Sequence, residues 1–497
     1  MKYLIKTKLK VYNSITKKKE IFIPINYPFV GMYLCGPTVY GDSHIGHARS
    51  AVVFDVIFRY LKYLKYKVKY VRNITDIGHL DNSFLAEDKV LKQSKLKKVD
   101  PMELSQYYTN IYHNYMKLLN VQSPNIEPRA TGTILDQIDI VKKFIKSGFA
   151  YEVNNSVYFN IKKYSINNYY GILSGRIVDD LISGNRKLFK QKEKKSVLDF
   201  ALWKSSDEKN LVYWFSPWGY GFPGWHLECF AMSYKYLGKV FDIHGGGIDL
   251  LFPHHECEIS QSQVLYSNNP AKYWLHNNLV NIDNRKMGKS LGNIITLSQI
   301  FNGNHSILDK PYSPMTIRFF ILQAHYRSVI DFSVNSLNFA RLKYIKFING
   351  LKFIKNLYYK KNNDFKADED LSDKIKIECN NCYNAINDDF NIPKLISYLF
   401  TLLKYINKIQ DGLLDISIIN ESSFNLLKKT YIIFLEDILG LLEENNFSKD
   451  LLSILLNVYK KEKMLKNYSI VDYIRFELKS NGIILKDMKN NIDWIYN

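Results

Sequence analysis

One run near the start of the chain constrains its fold more than any other feature. Residues 28–40, PFVGMYLCGPTVY, read as a short apolar strand stopped by a Gly-Pro-Thr turn. Asp42 and Ser43 follow, short polar side chains of the kind that cap helix N-termini. Ile45, Ala48, Val52, Val56 and Tyr60 then recur at helical spacing, and residues 67–74, KVKYVRNI, alternate as a second strand. Strand, turn, helix, strand is the start of a βαβ unit, and the ligands of such folds bind beyond the carboxyl ends of the strands. The run predicts an α/β fold with a Rossmann-type parallel sheet.

The pattern breaks over residues 150–215. Short β-like pieces such as 156–161 and a lysine-rich stretch, KLFKQKEKK at 187–195, suggest an inserted domain with an exposed loop. The sheet pattern returns with FDIHGGG at 241–247. From about residue 340, Leu, Ile, Tyr and Lys recur at helical spacing with almost no Gly or Pro, which predicts a helical bundle. A small tail closes the chain. The expected division is 1–130 and 211–270 for the two halves of a split catalytic domain and 131–210 for the insertion. A junction at 271–340, a bundle at 341–450 and a C-terminal piece at 451–497 follow. Five cysteines in 497 residues are too few and too scattered for a disulfide framework. No apolar run spans a bilayer and no signal-peptide pattern opens the chain, so a cytoplasmic, non-membrane protein is expected. A net charge of +20 permits a polyanionic partner such as RNA, although a chain this rich in Lys, Ile and Asn also carries lysine for compositional reasons.

Two segments suit phosphate. His44-Ile45-Gly46-His47 lies at the predicted helix start, where free N–H groups and the helix dipole favour anions and Gly46 allows close approach. Lys286-Met287-Gly288-Lys289-Ser290 places two lysines on either side of a small-residue turn. Either alone is weak; the two in this order resemble the signature pair of class I aminoacyl-tRNA synthetases.

A metal set is also present. Cys35 ends the first strand, Cys229 lies in PGWHLEC, and His254 and Glu258 lie four apart in FPHHECE, with Pro253 suited to a helix N1 position. Two thiolates, an imidazole and a carboxylate suit zinc. On ligand type alone His255, Glu256 and Cys257 compete with them. Cys379 and Cys382 form a lone CxxC, better read as two core residues of a helix.

Taken together, YLCGPTVYGDSHIGH, YVRNITDIG, EPRATG, LDFALWK, PGWHLEC, IHGGGIDLLFPHHE and KMGKSLGN resemble the cysteinyl-tRNA synthetases, over residues 8–494. The resemblance implies an enzyme that activates L-cysteine with Mg2+-ATP and transfers it to tRNA(Cys), acting as a monomer. It puts one Zn2+ on Cys35, Cys229, His254 and Glu258. It puts ATP on Gly36, His44, Gly46, His47, Gly245, Gly246, Gly247, Asp249, Lys286, Lys289 and Ser290. His44, His47, Lys286 and Lys289 would be catalytic, and Thr38 and Trp225 would shape the cysteine pocket. The chain departs from the family pattern at Gly288, where serine is common, at Cys257, where asparagine is usual, and at Gly78-His79, which replace an acidic pair. A tRNA-free ligase joining cysteine to an amino-sugar resembles the same catalytic domain but would need no helical region after 341. A metallohydrolase reading rests on HHECE alone and leaves both phosphate segments unexplained.

Overall fold

The computed structural model describes residues 8–79, 88–176, 193–206, 212–288, 291–362, 366–444, 448–487 and 492–496. Lys289, Ser290 and residues 187–192 of the lysine-rich stretch lie outside these. The chain forms two compact units.

The first unit spans Met1–Tyr312, Ala324–Val334 and Asn384–Ile392. It opens with a hairpin of β1 (Lys10–Asn13) and β2 (Lys18–Ile21). Its centre is a four-stranded, all-parallel sheet of β3 (Phe29–Leu34), β4 (Lys67–Arg72), β10 (Phe241–Gly247) and β11 (Ala271–Asn277), in the order β11-β10-β3-β4. From β3 the chain moves one way across the sheet, to β4. From β10 it moves the other way, to β11. The strand order therefore reverses between β3 and β10, and a crevice opens there beyond their carboxyl ends. The Cys35 N–H donates to the Gly245 carbonyl across this junction at 3.3 Å.

Helix α1 (Ile45–Tyr63) crosses from β3 to β4 and is buried almost all round, so its apolar residues face neighbours on several sides. The charges it carries inside are paired. Arg59 bonds Asp55 at 2.7 Å, and Arg49 donates to the carbonyls of Leu279, Tyr326 and Ser328. The sequence rules favour Asp42 or Ser43 as its cap, but the N-cap is His44. The Ser43 carbonyl instead accepts from Leu297 N–H at 2.8 Å, which leaves the capping to the imidazole that follows.

Between the halves of the sheet lies a five-stranded antiparallel sheet with the order β5-β6-β7-β9-β8. It comprises β5 (Ala150–Val153), β6 (Ser156–Phe159), β7 (Phe200–Ser205), β8 (Trp214–Ser216) and β9 (Gly219–Pro223). Phe144, Phe159, Phe230 and Trp203 form part of the core beneath it. A three-stranded sheet of β12 (Val280–Ile282), β13 (Arg285–Lys286) and β14 (Ile330–Phe332) carries the second phosphate segment.

The second unit is mainly helical, as its spacing predicts. It includes helices Pro314–Leu322, Ile392–Gln410, Glu421–Ile432, Ser448–Met464 and Tyr468–Ser480, and most of Val334–Asn356 and Glu369–Asn387. Cys379 and Cys382 are buried on the last of these helices. The tail ends in a hairpin of β15 (Ile483–Asp487) and β16 (Ile492–Tyr496). Among the described residues no helix is long and apolar enough to cross a membrane.

Candidate active site and metal centre

A cleft of about 1370 Å³ opens at the β3/β10 reversal. Cys35, Gly36, Thr38, His44, Gly46, His47, Trp225, Cys229, Gly247, Asp249 and Lys286 all line it. Gly245 and Gly246 lie at the end of β10, just before it.

At one end the strand terminus meets two helices. Cys35 follows β3, Cys229 sits in the second turn of helix Trp225–Leu237, and Glu258 in the first turn of helix Glu256–Tyr266. Pro253, expected to start that helix, instead lies in a wide turn, Leu251–His255, where Phe252 is extended, and the α-helix begins at Glu256. The four-residue spacing still brings His254 Nε2 to 3.3 Å from Glu258 Oε1. Cys35 Sγ is 3.5 Å from Cys229 Sγ and 3.8 Å from Glu258 Oε1. Ligand atoms of Cys35, Cys229, His254 and Glu258 lie within 4.8 Å of one another.

These four suit a metal on chemical grounds. His254 Nε2 is buried without a hydrogen bond, while its Nδ1 lies 3.3 Å from His226 Nδ1. Burial, and then the neighbouring His226, holds the His254 imidazole neutral by lowering its pKa well below the usual range. In the tautomer in which Nδ1 carries the proton and donates to His226, the neutral ring presents its Nε2 lone pair to two thiols and a carboxylate, as a cation requires. Burial, followed by the bond to Cys229, pushes the Cys35 thiol well up. A divalent cation reverses that preference by stabilising the thiolate.

A second quartet shares two members. Cys35, His244, His255 and Glu258 also meet the distance condition. His244 Nε2 is 2.9 Å from Glu258 Oε2, and His255 bridges Cys35 Sγ at 3.4 Å and His276 Nε2 at 2.8 Å. His255 thus remains a geometric competitor, and the sequence pattern did not reveal His244. Its signal was a histidine directly before the glycine run. The other rivals are occupied elsewhere. Glu256 accepts the backbone N–H groups of Gly171, Leu173 and Ser174 at 3.0, 2.5 and 2.7 Å, and the Cys257 thiol lies 3.5 Å from the Tyr170 hydroxyl.

At the other end His44 and His47 start α1. His44 Nδ1 accepts from Gly46 N–H at 3.1 Å, and His47 Nδ1 accepts from His44 N–H at 3.2 Å. In the neutral tautomer each ring must then carry its proton on Nε2, so both offer N–H donors. A Cβ on Gly46 would stand 2.9 Å from the His44 ring and 3.2 Å from Met287. The glycine is thus required by these neighbours as well as by any ligand. Met287 beside Gly46 shows that the two phosphate segments meet. The backbone just after the second segment is bonded to the first: Ile45 N–H donates to Ile295 O at 3.3 Å. Asn293, which the motif reading passed over, fastens the turn. Its Oδ1 accepts from Gly288 N–H at 2.9 Å and its Nδ2 donates to Lys286 O at 3.0 Å. Asp249 feels the Lys286 charge, although burial raises its pKa on balance.

Known proteins match this architecture. Residues 21–342 match the family described as tRNA synthetases class I (C) catalytic domain, and residues 381–443 match the DALR domain. The chain is 52% identical over 492 residues to the cysteine–tRNA ligase of Cytophaga hutchinsonii, covering 98% of this chain and 99% of that one. It is 48% identical to the cysteine–tRNA ligase of Bacteroides fragilis, with 98% and 99% covered. Among solved structures, a LeuRS–tRNA–LeuAMS ternary complex from Agrobacterium radiobacter aligns with a TM-score of 0.56 at 10% identity, covering 84% of this chain and 85% of that one. A Mycobacterium tuberculosis methionyl-tRNA synthetase with methionyl-adenylate gives 0.54 at 12% identity, covering 82% and 89%. At such identities these two speak for the fold alone. Whole-chain identity to named ligases and the class I catalytic domain together make this chain a member of the cysteine–tRNA ligase family.

Proposed function

We propose that the chain activates L-cysteine with Mg2+-ATP and esterifies it to the 3′ end of tRNA(Cys), with zinc selecting cysteine over serine. The observation that carries the reading is the meeting, in one cleft, of Cys35 and Cys229, the two thiols of the candidate metal cluster, with residues of both phosphate segments. In the first step the cysteine carboxylate attacks the α-phosphate and pyrophosphate leaves. In the second, a ribose hydroxyl of the tRNA terminus attacks the acyl carbon and AMP leaves. Neither step requires a covalent enzyme intermediate, so positioning and charge stabilisation supply the rate.

His44 and His47 donate through Nε2–H to phosphate oxygens. Lys286, which lines the same cleft, adds positive charge, and Lys289 and Ser290 take the same role on sequence grounds. Gly245, Gly246, Gly247 and Asp249 hold the adenosine. Thr38 and Trp225 bound the amino-acid pocket. Cys35, Cys229, His254 and Glu258 would hold the zinc ion, a Lewis acid that favours a thiolate over an alcohol. A thiol near pKa 8.5 yields its proton to such a site far more readily than a serine hydroxyl, so a small difference in size becomes a difference in bonding.

The domain division set out from the sequence, with the region from 341 reading the tRNA, belongs to this proposal. So do a monomeric state and a cytoplasmic setting, in keeping with five unpaired cysteines. ATP–pyrophosphate exchange across a panel of amino acids, with and without a chelator, tests it. Exchange with cysteine alone, lost on chelation, supports the reading. Exchange with another amino acid, or none, overturns it.

A further inference from the structure

His79 stands where the family pattern carries an acidic residue, and its surroundings give it a task. Its ring lies flat on the Trp225 indole, with centroids 4.0 Å apart and planes 7° apart. Trp225 also stacks on His254, at 4.2 Å and 22°. Gly78 makes the contact possible. Its φ is +94°, and a Cβ there would come within 2.3 Å of Glu228 Oε1 and 2.6 Å of Pro223 O. The backbone thus runs close against the helix start, where Trp225 N–H donates to Gly78 O at 3.1 Å.

The hydrogen bonds of His79 run in one direction. Lys89 Nζ lies 2.6 Å from His79 Nε2, and Thr38 Oγ1 lies 2.6 Å from His79 Nδ1. An ammonium only donates, so Nε2 accepts. Nδ1 then carries the proton and donates to the Thr38 oxygen. Lys89 is held in place a second time, its backbone N–H donating to His79 O at 3.0 Å. A hydroxyl that accepts from His79 has its own proton turned away from His79. Thr38, His79 and Lys89 all line the cleft beside Cys35 and Trp225.

We infer that His79 is a positioning residue for the amino-acid substrate: it turns the Thr38 hydroxyl into a donor for the substrate's carboxylate and braces Trp225 against the metal cluster. The inference rests on the reading of this cleft as the cysteine-activating site. An acidic side chain at position 79 could accept from Thr38 and Lys89 but could not donate, so it would leave the Thr38 proton directed at itself.

The test uses the zinc-loaded enzyme and cysteine-dependent pyrophosphate exchange. His79→Phe keeps a flat ring on Trp225 and removes both hydrogen bonds. Loss of one oriented donor is expected to raise the KM for cysteine about tenfold. The KM for ATP and the metal content should stay unchanged. Cysteamine, which has the thiol and amine but no carboxylate, should inhibit His79→Phe and the unsubstituted enzyme equally. Thr38→Val should match His79→Phe, and the double variant should be little worse than either. His79→Asn, whose amide can take the place of Nδ1–H, should recover to within about threefold of the starting KM. The inference is overturned if His79→Phe leaves the KM for cysteine unchanged, weakens cysteamine as much as cysteine, or adds fully to Thr38→Val. If the unsubstituted enzyme shows no cysteine-dependent exchange, the underlying reading of the cleft fails, and this inference with it.

Discussion

The imidazoles of His44 and His47 stack with centroids 3.8 Å apart and planes 20° apart, and each commits its Nδ1 to a backbone N–H of the same helix start. The proposed phosphate contacts would therefore use the edges of these rings opposite to those that cap the helix. His47→Asn supplies an oxygen that can still accept from His44 N–H, but no donor at the Nε2 position. It should keep the stability of the helix start, where losing a cap altogether costs about 1 kcal/mol. Adenylate formation should slow about 10²-fold, the scale of one lost transition-state contact. Pre-steady-state activation and urea unfolding of the same variant separate the two effects. Normal activation would remove His47 from the chemistry.

Asn293 predicts a second separation. It holds both sides of the turn that begins at Lys286, yet it belongs to no hydrophobic core. Asn293→Ala should lower the rate of adenylate formation about tenfold, because Lys286 loses a defined position. The KM for cysteine should stay unchanged, and global stability should shift by less than about 0.5 kcal/mol. Stopped-flow activation and thermal unfolding check this. An unchanged rate would mean that the turn is fixed by other contacts.

The two overlapping quartets share Cys35 and Glu258 and differ in two members each, Cys229 and His254 against His244 and His255, a difference that mutagenesis can resolve. If zinc sits on Cys35, Cys229, His254 and Glu258, then Cys229→Ala and His254→Asn should lose the metal, and cysteine-dependent exchange with it. His255→Asn should retain the metal. Glu258→Gln should keep it at reduced affinity, because the amide oxygen is a weaker, uncharged ligand in place of the carboxylate. Metal content by elemental analysis, measured beside exchange, decides. Retention in His254→Asn with loss in His255→Asn would move the ion to the other quartet.

Asp389 is a buried carboxylate with three donors. Tyr12 N–H and Tyr326 Oη reach Oδ1 at 2.7 Å each, and Arg327 Nε reaches Oδ2 at 2.8 Å. Asp389→Ala leaves these donors without an acceptor and should destabilise the first unit by about 2–3 kcal/mol. Denaturant unfolding followed by tryptophan fluorescence measures it. A change below about 1 kcal/mol would show that solvent replaces the carboxylate.

The βαβ start and the helical second unit were legible because each is written in local periodicity; the insertion showed only as a break in that pattern, and its last strands, Trp214–Ser216 and Gly219–Pro223, lie past the expected end at 210. Ile45 to Tyr60 repeat at helical spacing whatever they pack against. The metal cluster was legible only as a choice among candidates. His254 and Glu258 are four apart, and so could be paired from sequence, but Cys35 joins them across 219 residues or more, through a sheet whose order no local pattern states. Glu256 and Cys257 could be dismissed only once their partners, Leu173 and Tyr170, were in view. The His44 cap was missed because propensity favours short oxygen-bearing side chains. Here Ser43 lends its carbonyl to another segment and the ring takes over. Asn293 lay inside a quoted motif and His79 stood out only as a departure from the family pattern; neither showed its role, which lies in whom it touches.

The first unit recruits Asn384–Ile392 from far along the chain, and Asp389 ties that segment to Tyr12 near its beginning. This sets an order of events during synthesis. When Val334 leaves the ribosome, every strand of the parallel sheet has been made, yet the carboxylate that gathers Tyr12, Tyr326 and Arg327 has not. At about 5–20 residues per second, the emerging protein waits several seconds with those donors unsatisfied. During that interval the nascent chain is exposed to chaperones and proteases. Premature termination between the two points would release a protein with both phosphate segments, all the candidate metal ligands and an unfinished fold.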